Sequence, residues 1–337
     1  MKALVQLIEK KAPAVDYTSS LHADLRDLQK WMKSGENGPL YRLFLIPSGW
    51  RSSFSIAFDW TIFLGAVASV YFISLWLLPI ALLFIGARQR ALANIRHDAA
   101  HWNLFRTRLI NDLVTDLFGS LAMFETVQFY RQGHIYHHKY LGLNSHDPDA
   151  ANHVGYGFDD ENPTSMSSFE KFARLFFNLR AIPDSLGKSF FEVSAFDRLK
   201  IVTWWFVFSG ILAVAISWKF ALAFFGIWML SRATTYHAIR VFAEFIDHSG
   251  LKPGTHLGFT RTLPNKSVFA FFVNPHEDAY HLTHHLFPQV PHYYLGRIHK
   301  LLLKNSSYQE AHHCDGYLFG KHPARLCWIG RCQGSTA

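Results

Sequence analysis

The stretch FSIAFDWTIFLGAVASVYFISLWLLPIALLFIGA, residues Phe54–Ala87, carries a single charged residue, Asp59. About 34 residues at ~1.5 Å rise each overshoot a ~30 Å hydrocarbon core, so one straight helix is too long and two are a tight fit. Two spans are expected, over 54–73 and 75–95, with a turn near Ser74 and Pro79 in the first turns of the second, where its missing N–H costs nothing. Arg88, Arg90 and Arg96 then mark the return to a positively flanked membrane face. A second apolar block runs from Ile201 to about Phe245, is interrupted at Trp218 and Lys219, and follows Arg198 and Lys200. Arg232 and Arg240 fall toward its inner end. The expected fold class is all-α integral membrane: four transmembrane helices in two hairpins, with a cytosolic helical cap.

Working outward, a single domain over 1–337 divides into five stretches. Residues 1–53 are a mixed, partly amphipathic cytosolic lead-in, with Ser19, Ser20 and Asp24 as helix-start signals and no secretory h-region. Residues 54–95 form the first hairpin. Residues 96–199 have no run long enough to span and are punctuated by Asn144, Pro148, Gly155 and Pro163, which marks a cytosolic insert. Residues 200–245 form the second hairpin, and 246–337 a cytosolic C-terminal part. An even number of spans puts the lead-in, the insert and the C-terminal part on one side.

The composition agrees with this division. Half of the 337 residues are hydrophobic, 16% are aromatic and only 17% charged, with 31 Phe and 10 Trp. That is apolar for a water-soluble domain, and aromatic bulk suits lipid-facing and interfacial surfaces. A net charge of +8 invites a nucleic-acid reading. The basic residues are scattered among apolar segments rather than gathered in a stripe, so positive-inside topology and anionic headgroups account for them and no nucleic acid is expected. Cys314, Cys327 and Cys332 are odd in number and crowded at one end, unlike a disulfide framework, which places the site-bearing side in the cytosol.

The other anomaly is 20 histidines. Three clusters stand out: His97-Asp98-Ala99-Ala100-His101, His134-Ile135-Tyr136-His137-His138 and His281-Leu282-Thr283-His284-His285. On a helix, positions i, i+3 and i+4 share a face, so each cluster can aim its imidazoles at one point. Each falls beside an apolar span or in the insert, hence on one predicted face, as a shared metal site requires. Eight imidazoles exceed what one tetrahedral zinc needs, and no thiol lies near them, which leaves two borderline ions of iron, zinc or copper. Iron is favoured, because a hydrophobic setting points to chemistry on unactivated carbon, beyond redox-inert zinc. Asp98 stands where the general-base Glu of a zinc protease H-E-x-x-H would be, which lowers a hydrolase reading. The carboxylates Asp98, Asp147, Asp149 and Asp247 are candidates to take the second ring N–H of a ligand imidazole. His22, His153, His256, His292 and His299 are isolated and read as ordinary polar residues. His312, His313, Cys314, His322, Cys327 and Cys332 fit no zinc-ligand spacing.

In these boxes the sequence resembles the membrane fatty acid desaturase and hydroxylase superfamily, whose signature is three histidine boxes of these spacings in this order. The similarity runs from about Arg96 to His299. It includes His101-Trp102-Asn103-Leu104-Phe105 after the first box, Asp147-Pro148-Asp149 after the second, and Leu286-Phe287-Pro288-Gln289-Val290-Pro291 after the third. The resemblance implies a further ligand at the end of the last span. Arg240 followed by Asp247-His248-Ser249-Gly250 is similar to the family's Arg…Glu-His-x-Gly element, which assigns His248, with His237 as the rival. Where many relatives carry Asn ahead of the third box, this chain has His276-Glu277-Asp278, so Glu277 or Asp278 is the candidate substitute.

The same resemblance implies a non-heme diiron enzyme with ligands His97, His101, His134, His137, His138, His248, His281, His284 and His285. O2 would be its co-substrate and a fatty acyl or other lipid-like chain its substrate, bound in a dry tunnel between helices and under the insert. No His-Pro-Gly-Gly heme motif and no Cys-x-x-Cys rubredoxin pattern is seen. The electron donor is therefore expected to be a separate ferredoxin-, rubredoxin- or cytochrome-type protein with its reductase, docking on the cytosolic face. Hydroxylation, oxidative decarboxylation and desaturation of a non-fatty-acid substrate are rivals that the boxes do not separate. A membrane zinc hydrolase or a metal-binding or transport protein is the alternative of another class, disfavoured because transporter ion sites lie near the bilayer midplane.

Overall fold

The structure is a computed structural model that describes residues 21–143, 146–156, 170, 173, 174, 176–263 and 267–328. Ser19, Ser20, Asn144, Pro163 and Cys332, and the side chains of His153 and Cys327, lie outside the described residues. The fold is all-α, with two residues each in the parallel strands Arg261–Thr262 and His312–His313. Helices α1 (Ala23–Lys33) and α2 (Asn37–Phe44) lead into α3 (Gly49–Ala68) and α4 (Leu78–Ala100). There follow α5 (Val127–Lys139), α6 (Ala195–Ala215), α7 (Trp218–Ala233), α8 (Thr235–His248), α9 (His281–Leu286) and α10 (Leu295–Leu302).

Among the described residues, three helical segments are long and apolar enough to cross a membrane: Gly49–Ile73, Leu75–Ala100 and Ala195–Ala215. The first two part at Ser74, whose extended backbone (φ −165°, ψ 136°) carries a hydroxyl that caps Trp76 N–H, and Pro79 lies in the first turn of α4. Their outward positions are large and apolar, with Trp76 and Val214 each 91% and Phe206 80% exposed, a surface that water tolerates poorly and lipid does not. Inward, Phe63, Val67, Ile85, Trp205, Phe224 and Trp228 form one core.

Four spans were expected from the hydropathy; the fourth, α7, has 16 residues, about 24 Å, short of the hydrocarbon thickness. It stops at Thr234 (φ −122°, ψ −92°) and the chain restarts as α8. Hydroxyls are the cause, since Ser231 Oγ and Thr235 Oγ1 both donate to Leu82 O of α4, and Thr234 Oγ1 donates back to Leu230 O. Gly86 permits the approach: a Cβ there would sit 2.4 Å from Thr235 Oγ1 and 2.6 Å from Tyr236 N.

A second correction concerns the arginines read as marking the membrane surface. Arg88, Arg90 and Arg96 are buried inside α4, each on its own carboxylate: Asp59, Asp278 and Glu125. A buried charge persists only when paired, which also explains the lone Asp59 in the first apolar run. Helix α4 continues unbroken through His97, so the first box lies at the end of an apolar helix. The lead-in is also more than a tether. Leu28 and Met32 of α1 and Tyr41 and Phe44 of α2 pack on Leu282, Leu286 and Phe287, and Gln29 Nε2 donates to Leu286 O, so the lead-in clamps the third box.

Candidate metal centre

The three boxes come from separate helices and meet. Nitrogens of His97, His101, His134, His138 and His284 all lie within 4.8 Å of one another. Those of His137, His248, His281 and His285 form a second group within the same limit. The sequence reading aimed each box at one point, and the structure divides two of them between two points. In His134-x-x-His137-His138, the i and i+4 residues enter the five-membered group and the i+3 residue the other. In His281-x-x-His284-His285, i and i+4 enter the four-membered group and i+3 the other. Helix geometry requires it: residues four apart stack on one face, while adjacent residues diverge by about 100°. The doubled histidine is thus what lets one helix serve two sites.

Local structure fixes these helices. Thr126 Oγ1 caps α5 by accepting Phe129 N–H. Arg131, one turn before His134, donates through Nη2 to Ala99 O and through Nε to Ala100 O, the last carbonyls of α4, and pairs with Asp112. Ala99 O also accepts Trp102 N–H and Asn111 Nδ2, so Arg131 joins the cap at the end of the first box and ties it to the second. Its guanidinium also lies 4.4 Å from the centre of the Trp102 ring.

The ring-nitrogen spacings bear on whether metal ions fit. His134 Nε2 lies 2.9 Å from His101 Nε2 and 3.1 Å from His138 Nε2, which is 3.1 Å from His284 Nε2. In the second group His281 Nε2 is 3.0 Å from both His248 Nε2 and His285 Nε2, and His285 Nε2 is 3.3 Å from His137 Nε2. Neighbouring ligands at right angles on metal–nitrogen bonds of ~2.1 Å stand ~3.0 Å apart. A neutral imidazole has one N–H, so a ring of nitrogens facing each other cannot satisfy itself by hydrogen bonding; a cation at each centre would. Burial, with the neighbouring imidazoles, pushes His134, His138, His281, His284 and His285 well below the usual histidine range, and burial brings His101 down to about 4. Neutral imidazole is the metal-ligating form. The residues fit two ions of the iron type.

The outer nitrogens show which carboxylates serve. Asp147 Oδ1 is 2.9 Å from His137 Nδ1, while its oxygens also accept Gly142 N–H and Asp149 N–H. Burial would lower His137, yet Asp147 and Asp149 outweigh it and raise the imidazole to about 9. Asp149 Oδ2 stands 3.5 Å from the same Nδ1, and Asp247 Oδ2 3.9 Å from His281 Nδ1. His248 Nδ1 donates to Phe259 O at 2.8 Å, which turns Nε2 inward. Its rival His237 lies elsewhere, against Ser185 Oγ at 2.8 Å.

Asp98 does not serve a box histidine. One residue after His97, it points away and accepts from His292 Nδ1 (2.9 Å) and Asn103 Nδ2 (2.9 Å), locking the first box to the segment after the third. His292, read as isolated, is therefore a clamp. Glu277 accepts Gly296 N–H, whereas Asp278 pairs with Arg90 at 2.6 Å and stands 3.9 Å from His97 Nδ1. Other residues that the spacing did not reveal are Tyr130, stacked on His134 at 5.3 Å, and His256, buried 6.1 Å from His285 and 3.0 Å from His22 Nδ1. The one sign of Tyr130 and Arg131 in the sequence is that they stand one helical turn before the second box. A cavity of about 570 Å³, between Phe54, Phe58, Arg88, Phe271 and His276, is lined by none of the nine histidines.

Comparison with known proteins agrees with this geometry. The chain is 28% identical over 295 residues, 83% of each protein, to the dihydrorhizobitoxine desaturase of Bradyrhizobium elkanii. The family model described as fatty acid desaturase matches residues 73–317, from the start of the second long helix past the third box. A match of that extent, over the segments whose histidines converge, makes this chain a member of the fatty acid desaturase family of membrane histidine-box oxidoreductases.

Proposed function

We propose that the chain is an O2-dependent diiron desaturase that introduces a double bond into a fatty acyl chain. The reading rests chiefly on two groups of imidazole nitrogens, five and four, at ligand spacing. His97, His101, His134, His138 and His284 would hold one iron, and His137, His248, His281 and His285 the other. Two irons so held supply O2-dependent removal of hydrogen from an unactivated methylene, with electrons from an external donor. The protein's own part is positioning. Asp147 and the Phe259 carbonyl orient His137 and His248, Arg131 fixes the relation of two boxes, and burial keeps water out.

In this reading α7 completes a fourth span, with α3–α4 and α6–α7 as hairpins over 54–95 and 200–245. The lead-in 1–53, the insert 96–199 and the C-terminal part 246–337 form a cytosolic cap, and a separate ferredoxin-, rubredoxin- or cytochrome-type donor docks there. A second reading, desaturation of a non-fatty-acid substrate, is favoured by the Bradyrhizobium relative, which is named a dihydrorhizobitoxine desaturase. Expression in a host with a defined fatty acid profile tests the proposal. The expected product is a fatty acid two hydrogens lighter, absent with His284→Ala. An unchanged acyl profile, with a polar acid desaturated instead, selects the second reading; a hydroxylated product overturns both.

A further inference from the structure

Buried arginines in an apolar bundle need counter-ions, and here all but two have their own. Arg88, Arg90, Arg96, Arg131 and Arg240 pair with Asp59, Asp278, Glu125, Asp112 and Glu244. Arg261 donates to Ser249 O and lies in the field of Asp247. Arg232, at the inner end of α7, is 2% exposed and forms no ion pair among the described residues. Its Nη1 donates to Met123 Sδ at 3.0 Å, a weak acceptor, and its Nε is buried without a partner. Phe124 and Tyr236 present their rings at 5.3 and 5.1 Å. Glu125 also faces it, but is already bonded to Arg96. Two guanidinium groups thus share one buried carboxylate; the nearby Glu192 is half-exposed and pairs with Lys188, so Arg232 keeps no carboxylate of its own among the described residues.

Its place gives the surplus charge a meaning. Arg96 directly precedes His97 and lies 4.2 Å over the Tyr130 ring, which stacks on His134 of the same five-imidazole group. The row Arg232, Glu125, Arg96 therefore ends at the metal centre. The α7–α8 break lies two residues beyond Arg232, and interrupted helices inside a bundle are where buried polar groups meet ligands. Phe124 adopts a left-handed backbone (φ +68°), unfavourable for a bulky side chain, and this turn brings Met123 and Glu125 to the two guanidinium groups.

We propose that Arg232 receives the carboxylate of the substrate, so that the enzyme acts on a free carboxylic acid rather than on an ester or thioester. The inference rests on the desaturase reading for what happens next, but not for binding. A guanidinium matches a carboxylate with paired N–H donors, which an ester, lacking charge, engages weakly.

The test is binding of decanoate and of methyl decanoate to the full-length, iron-loaded protein in neutral detergent, read as thermal stabilisation against concentration. Wild type should bind decanoate at least ~10-fold more tightly than the ester. Arg232→Gln should weaken decanoate about 10- to 100-fold, the worth of a charge-assisted hydrogen bond, and leave the ester unchanged, with Arg232→Lys between. Equal binding of acid and ester by wild type overturns the proposal, as does binding of neither, or equal protection by sodium chloride. Decanoate binding unchanged in Arg232→Gln also overturns the proposal; should that variant not fold, Arg232→Lys takes its place with the same reading. Iron counted in the same samples separates the two claims. Two irons without acid preference removes the carboxylate site and leaves the desaturase, whereas acid preference in a chain that holds no iron does the reverse.

Discussion

Asp147→Asn is the substitution whose effect the structure defines most sharply. The carboxylate is 1% exposed, takes His137 Nδ1 at 2.9 Å, and accepts Gly142 N–H at 2.8 Å and Asp149 N–H at 2.9 Å. Gly142 has φ +78° in the tight turn after the second box, so these bonds also hold the loop. Asn keeps the volume but only one carbonyl acceptor, so its NH2 faces either Gly142 N–H or the His137 and Asp149 N–H groups, and the charge that orients His137 is gone. A hydrogen bond to a charged group is worth ~1.5–3 kcal/mol, and loss of a carboxylate behind a ligand imidazole typically weakens a metal ~10- to 100-fold. Asp149 stands 3.5 Å from the same nitrogen, but its carboxylate is half in solvent and restores only part. The expected loss is therefore about 10- to 100-fold, about 1.4–2.8 kcal/mol, at the group of His137, His248, His281 and His285 alone. Equilibrating the iron-loaded variant with graded chelator should release one iron early and the other at the wild-type concentration. Release of both together, or of neither early, would refute the division of the boxes into two groups.

Other perturbations follow from the same contacts. His101→Ala, His137→Ala or His284→Ala should abolish turnover while leaving membrane insertion intact, checked by product analysis and membrane fractionation; full activity in any two would count against the assignment. His248→Ala should lose one iron, whereas His237→Ala, whose imidazole sits on Ser185, should keep both, read by metal content. Arg131→Met removes the carbonyl cap of α4 and the Asp112 pair; with Asp112 33% exposed, the cost should be about 2–3 kcal/mol, seen as a lower melting temperature in detergent.

The parts legible in the sequence were those written in local periodicity. Apolar runs announced the long helices, Ser74 and Pro79 announced the first break, and the i, i+4 spacing announced the boxes. What escaped depends on contacts between distant segments. Asp98 looked like a carboxylate behind a box histidine, but a one-residue step turns it away from His97 toward His292, 194 residues on. Arg88, Arg90 and Arg96 looked like surface markers because their partners Asp59, Glu125 and Asp278 are far along the chain. The end of α7 at Thr234 was hidden because hydropathy does not register hydroxyls that bond to Leu82 on a neighbouring helix. The sharing of each doubled histidine between two metal groups was implicit in helix geometry, yet it emerges only once a second helix supplies the other imidazoles.

Two redox-active ions held by histidines from four segments of one chain are the centre of the proposed chemistry. Protein purified without oxygen and without added metal, then analysed for total metal, should contain two irons per chain, falling toward none when His138 and His285 are both replaced by Ala. A single zinc per chain, or iron content indifferent to that double replacement, would contradict it.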